Sequence, residues 1–243
     1  LVDGAGGAGG LGHLVRATGA LVAGNAADIA TMRSLIAEVS AADVAPVDRL
    51  GRGVHLLLAF GEVALGDVNS SVGHLVRAGG GAALEHLMIV DRALGHELLV
   101  AQAVSEEDLE SATAWQQLLE SRADHRAAQP VVLRCRARIA TLVGDYAAAE
   151  AAALEAITLA RLDDRRIEVA EGEVVLARAR LLANKVPAAT RSLRDAVVAG
   201  DSTGHLAVRH AATQLLRPAR RRLPPVSGSG RDSLSPRERD IAL

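Results

Sequence analysis

Along most of this chain apolar residues return at helical intervals. Ala149, Ala153, Ile157 and Ala160 form one stripe at i, i+4, i+8 and i+11, with Leu154 beside it. Val174, Val175, Leu181 and Leu182 repeat the pattern one helix later. Pro130 suits a first helical turn, where its missing N–H costs nothing. Ser105, three residues before Asp108, resembles a capping box with Asp in the place of Glu. Gly24, Gly66, Gly144 and Asn184 suit the turns between helices. The pattern predicts an all-α fold.

The helices also repeat. Gly144-Asp145-Tyr146 precedes Ala149, Ala153 and Ala156, and Asn184-Lys185-Val186 precedes Ala189, Leu193 and Ala196, 40 residues on. Ala137 and Ala177, in the helices before these turns, keep the same spacing. Gly66-Asp67-Val68, seven residues after Ala59, and Gly24-Asn25, seven after Ala17, give two upstream copies. A weaker copy surrounds Asp108-Leu109, with Ala112 and Trp115 following. A small residue on either side of a tight turn lets two antiparallel helices approach closely. Such hairpins cannot cover their own apolar faces and stack. The expectation is about five helix hairpins between residues 11 and 200. Ala137, Gly144, Tyr146, Ala149, Ala156, Ala177, Asn184, Ala189 and Ala196 would serve as packing and turn positions.

This pattern resembles the tetratricopeptide repeat, most clearly over 131–161 and 171–200. The resemblance implies a right-handed solenoid. The period near 40, and Arg161 and Asp201 where the motif carries its terminal proline, mark a divergent form.

Composition supports helices over sheets. Phe60, Trp115 and Tyr146 are the only aromatics. At 49% hydrophobic residues the chain can bury a core. No run of 18 apolar residues points to a membrane span. Cys135, the single cysteine, excludes an internal disulfide and a multi-cysteine zinc site. The chain starts at Leu1 without a leader, which reads as an interior piece of a longer, cytoplasmic protein. Lys185 is the one lysine among 27 basic residues, a bias that a GC-rich genome explains.

Charge is uneven. Residues 205–243 hold eight arginines against three carboxylates, +5 locally, which leaves −7 on the rest. The repeat region ends near Arg217, and Pro- and Gly/Ser-rich residues 218–233 read as a linker. Beyond it, Ser235 suits an N-cap, Pro236 the first helical position, and Glu238 the third, closing a capping box.

The run Leu234-Ser235-Pro236-Arg237-Glu238-Arg239-Asp240-Ile241 resembles the opening of a LuxR-type DNA-binding domain. The order of repeat, linker and this run resembles the large ATP-dependent LuxR-type regulators, the maltose-activator-like class. That resemblance implies a bacterial transcription regulator, with 11–217 as the helical sensor and 234–243 as the truncated start of a helix-turn-helix. Leu234, Ser235, Pro236, Arg237 and Glu238 would build and cap its first helix. Partners implied are DNA, a small-molecule or protein signal on the repeats, and RNA polymerase. ATP would belong to a missing N-terminal domain, so no cofactor is expected here. Arg220, Arg221 and Arg222 are candidate phosphate contacts. An interaction scaffold with the same repeats and no DNA role is the alternative.

No catalytic set appears, and no enzyme is expected. Gly4-Ala5-Gly6-Gly7-Ala8-Gly9 has the letters of a dinucleotide fingerprint but no preceding strand; residues 1–10 read as a glycine-rich edge or loop. No phosphate-binding Gly-x-x-x-x-Gly-Lys loop occurs. The eight histidines show no i, i+4 pair, and His205 and His210 lie on different sides of a helix. Arg134 and Arg136 flank Cys135, but a buried small residue is the better reading of this cysteine. Glu106, Glu107, Asp108 and Glu110 read as a solvated first turn.

Overall fold

A computed structural model describes residues 5–64, 68–121 and 124–217. These residues form eleven α-helices and no strand: α1 (Ala5–Asn25), α2 (Ile29–Ala41), α3 (Arg49–Val63), α4 (Val68–Gly79), α5 (Ile89–Ser105), α6 (Leu109–Glu120), α7 (Gln129–Leu142), α8 (Tyr146–Leu162), α9 (Arg166–Leu182), α10 (Val186–Thr203) and α11 (Ala207–Leu216). Residues 218–243, which carry the expected linker, Arg220 to Arg222 and the Leu234–Glu238 run, lie outside the described residues.

Six connections, including those from α7 through to α11, are three residues long. Five share one geometry. Their middle residue is left-handed: Ala27, Glu107, Gly144, Asp164 and Asn184, with φ between 51° and 82°. The next residue's N–H reaches back five positions to a carbonyl, as from Asp28 to Ala23 (2.8 Å) and Asp145 to Ala140 (2.9 Å). This is the Schellman closure, which satisfies carbonyls that a helix end leaves open. That same residue is the N-cap of the following helix. Asp28, Asp108 and Asp145 accept from the backbone N–H three residues on. One helix therefore stops and the next starts within three residues.

Packing follows the chain. Apart from α2 and α3, each helix packs on its successor, and α1–α3, α5–α7, α7–α9 and α9–α11 also meet. The core is divided into small clusters that join neighbouring helices. Alanine dominates it: Ala137, Ala149, Ala153, Ala160, Ala177, Ala189 and Ala196 are fully buried. Where the approach is closest only glycine fits. A Cβ on Gly172 would lie 2.7 Å from Ile157 Cγ1. One long-range bond joins distant helices: the Leu206 N–H, before α11, donates to the Asn25 carbonyl at the end of α1 (2.7 Å).

Several expectations need correction. Residues 5–10, expected as a loop, are the first turns of α1. A Cβ on Gly10 would meet Leu50 of α3 in ordinary contact, at 3.6 Å. Gly24 is not the first turn but lies inside α1, where a Cβ would stand 2.8 Å from the Gly61 carbonyl of α3. The turn is at Ala27-Asp28, three residues later. Ser105 is the last residue of α5, not a cap; Asp108 caps α6 directly. Leu182, expected on an apolar stripe, is half exposed, while Val175 is buried.

An L-residue pays about 1–2 kcal/mol to be left-handed, and glycine is free of that strain. Ala27→Gly and Glu107→Gly are therefore expected to raise stability by about 0.5–1 kcal/mol each. Gly144→Ala, with open space around the added methyl, should lose about 1 kcal/mol from backbone strain alone. Urea unfolding midpoints measure all three.

Candidate functional site

The densest polar cluster lies between α5, α7 and α9. Arg134, on α7, is completely buried. Glu97 of α5 accepts from its Nε at 2.7 Å and its Nη2 at 2.5 Å. From α9, Glu168 accepts from Arg134 Nη1 at 3.3 Å and Glu171 lies 3.3 Å from Nη2. Arg138 adds a second cation 3.7 Å from Glu97, and Arg165 pairs with Glu168. His205, between α10 and α11, stands 3.9 Å from Glu171. Arg134, Arg138 and Arg165 thus face Glu97, Glu168 and Glu171, three cations against three anions.

Burial works to raise the Glu97 carboxyl, but Arg134 prevails and holds it below the ordinary value. The same opposition, with Glu97 prevailing over burial, lifts Arg134 well above an ordinary guanidinium. Glu168 goes the other way: burial keeps it raised despite Arg134 and Arg165. Every carboxylate here is spent on a guanidinium, and the cluster acts as a tie between helices. Cys135 is buried beside it, and burial pushes its thiol far up, so it is no nucleophile.

A second feature is an open cleft of about 280 Å³ at the α8–α9 turn, lined by Arg161, Arg165, Arg166, Asp164, Val169, Ala199 and Ser202. Its arginines are engaged: Arg161 with Glu173 at 2.9 Å, Arg166 with Asp164 at 3.0 Å, and Arg165 with Glu168 and the Ala127 carbonyl.

The third feature was invisible in the sequence. His55 of α3 and His74 of α4, nineteen residues apart, bring their Nδ1 atoms to 2.9 Å. His55 Nε2 donates to the Val44 carbonyl at 2.8 Å. His74 Nε2 lies 3.8 Å from Glu62 Oε1. Spacing finds metal or proton pairs within one helix, and this one bridges two. Burial, then the charges of His55 and Arg77, hold His74 down at about 4. Among the described residues no group of three or more His, Cys, Asp or Glu is placed to hold a metal.

Of the positions expected to shape the repeats, Ala137, Ala149, Ala156, Ala177, Ala189 and Ala196 are buried. Gly144 and Asn184 are the left-handed turn residues, and Tyr146 opens α8 half-buried. Glu106, Glu107, Asp108 and Glu110 are exposed. No described helix is long and apolar enough to cross a membrane. No family model, curated protein or solved structure matches the chain.

Arg134→Met should cost about 3–5 kcal/mol, because it strands the buried Glu97 carboxylate. Arg134→Met combined with Glu97→Met should recover part of that loss in urea unfolding, since no charge is then left buried alone. His74 sets a pH dependence. Its folded value, about 4, lies below the 6.5 of a free imidazole, so between those values the unfolded chain binds more protons. Stability should be full above that window and fall as pH drops through it, by on the order of 2 kcal/mol. His74→Gln should flatten this part of the stability–pH curve.

Proposed function

We propose that this chain is the helical sensor and coupling region of a LuxR-type bacterial transcription regulator, acting in the cytoplasm. In this reading the hairpins from α1 to α10 form a right-handed tetratricopeptide-like solenoid. The linker at 218–233 connects it to a helix-turn-helix that begins at Leu234. The observation that carries the reading is the run Leu234-Ser235-Pro236-Arg237-Glu238-Arg239-Asp240-Ile241, placed behind a Pro/Gly/Ser linker and a helical repeat. The all-helical fold and its repeated turns are in keeping with it.

The mechanism is one of presentation. A small molecule or protein binds the helical array, shifts its hairpins, and through α11 and the linker changes how the DNA-binding domain meets DNA and RNA polymerase. Arg220, Arg221 and Arg222 would then lie where phosphates pass. The chain itself has no catalytic part in this reading, and ATP belongs to a separate domain.

One observation favours an interaction scaffold instead. Leu11, Val15 and Val22 are exposed on α1 at helical spacing, an apolar strip of the kind that meets a protein partner. The coding DNA downstream of codon 243 separates the two readings. A frame that continues into a tight turn and a second amphipathic helix, whose product binds duplex DNA with strong salt dependence, supports the regulator. A stop codon there, or a continued product that ignores DNA, overturns it in favour of the scaffold.

A further inference from the structure

The ion cluster between α5, α7 and α9 balances three guanidiniums against three carboxylates and leaves one arginine over. Arg178 of α9 pairs with no carboxylate among the described residues, and the charge that bears on it is another cation, Arg138. Arg178 is solvent-exposed as a residue. Enough protein still surrounds it that burial, then Arg138, hold its guanidinium below the ordinary value.

The repeat brings these two arginines to one face. Ala137 and Ala177, 40 residues apart, are fully buried where α7 and α9 pack, and Arg138 and Arg178 directly follow them. On α7, Arg138 stands one turn beyond Arg134. On α9, Arg178 stands two turns beyond Glu171, which reaches Arg134. Arg138 has donors to spare as well. The carboxylate that faces it, Glu97, lies 3.7 Å from its Nη2, too far for a hydrogen bond. Glu97 is already taken by the Arg134 fork at 2.7 and 2.5 Å. The Arg138 Nε is buried and donates to nothing.

We propose that Arg138 and Arg178 bind the carboxylate of a ligand on the solvent side of the α7–α9 face, each guanidinium donating to it. The inference deepens the reading of the helical array as a signal-binding region and rests on that part of it alone. A planar guanidinium fork matches a carboxylate, and one anion between two cations removes their mutual repulsion. The site suits a single negative charge. Glu97 and Glu171, in the adjoining cluster, would repel the second charge of a phosphate dianion. The α8–α9 cleft offers no such opening, because an anion there would have to break Arg161 from Glu173 and Arg166 from Asp164.

The test titrates the full chain at pH 6 and fixed ionic strength with acetate, then with inorganic phosphate, and follows the arginine Nε–Hε signals by NMR. Acetate should move the Arg138 and Arg178 signals along one saturating curve and leave exposed Arg33 of α2 in place. Phosphate should bind more weakly. Arg178→Gln should weaken acetate binding tenfold or more, and Arg178→Lys, which keeps the charge and loses the fork, should fall between. Without ligand, Arg178→Gln should leave the urea midpoint unchanged or higher, because it removes an unpaired charge. A trialanine peptide with a free C-terminal carboxylate, compared with its amide, separates the two sources of the carboxylate. Tighter binding of the free peptide than of acetate places it on a protein partner, and equal binding places it on a small acid. The proposal is overturned if acetate moves neither signal, if Arg33 moves with them, if phosphate binds as well as acetate, or if Arg178→Gln lowers the midpoint and leaves acetate binding intact. A continued product that ignores DNA would sink the regulator reading and leave this site standing.

Discussion

A guanidinium that cannot reach water has to be neutralised by its neighbours, and this requirement governs where α5, α7 and α9 sit. Arg134 leaves α7 with its side chain wholly enclosed. Its fork faces Glu97 on one side and Glu168 and Glu171 on the other. The apolar core cannot supply such direction, because alanine faces slide past one another with little penalty. A bidentate ion pair allows one register. Such a pair adds little net stability over a well-packed apolar substitute. Its contribution here is to choose among the ways in which small-residue helices could lie together.

The second organising element is the turn. From α7 onward the left-handed residues fall at 144, 164, 184 and 204, twenty residues apart. The 40-residue period in the sequence is therefore two 20-residue units, each a helix and its closure. Equal lengths and equal closures keep successive helices in step, and this is why Ala137 and Ala177 take equivalent buried places. Toward the N-terminus the units become irregular. The α2–α3, α4–α5 and α6–α7 connections are longer, and the core there draws on Leu58, Leu75 and Leu84.

Much of this was legible because alanine, glycine and asparagine carry positional meaning. Gly144 and Asn184 announced their turns because those residues tolerate a left-handed backbone. Glu107 and Asp164 did not, because the chain adopts the same geometry there at the expense of strain. Gly24 misled for the opposite reason: it is small so that α3 can come near, and the true turn is at Ala27. Arg134 drew notice only as a neighbour of Cys135, since nothing local shows that a guanidinium is enclosed by carboxylates 37 residues earlier and 34 and 37 later. The His55–His74 pair escaped for the same reason. The residues that carry the regulatory reading, 234–241, lie outside the described residues, so that reading rests on the sequence.

The hydrogen bond from Leu206 to Asn25 has a consequence for descent. An open stack of hairpins gains or loses a copy freely, since each unit meets only its neighbours. Here the last described helix returns to the first across 181 residues. Insertion of one 20-residue unit would carry the amide away from its carbonyl, and deletion would bring it up short. A unit gained or lost between these two helices would therefore forfeit that hydrogen bond, a net loss of about 0.5–1.5 kcal/mol that an open stack does not face.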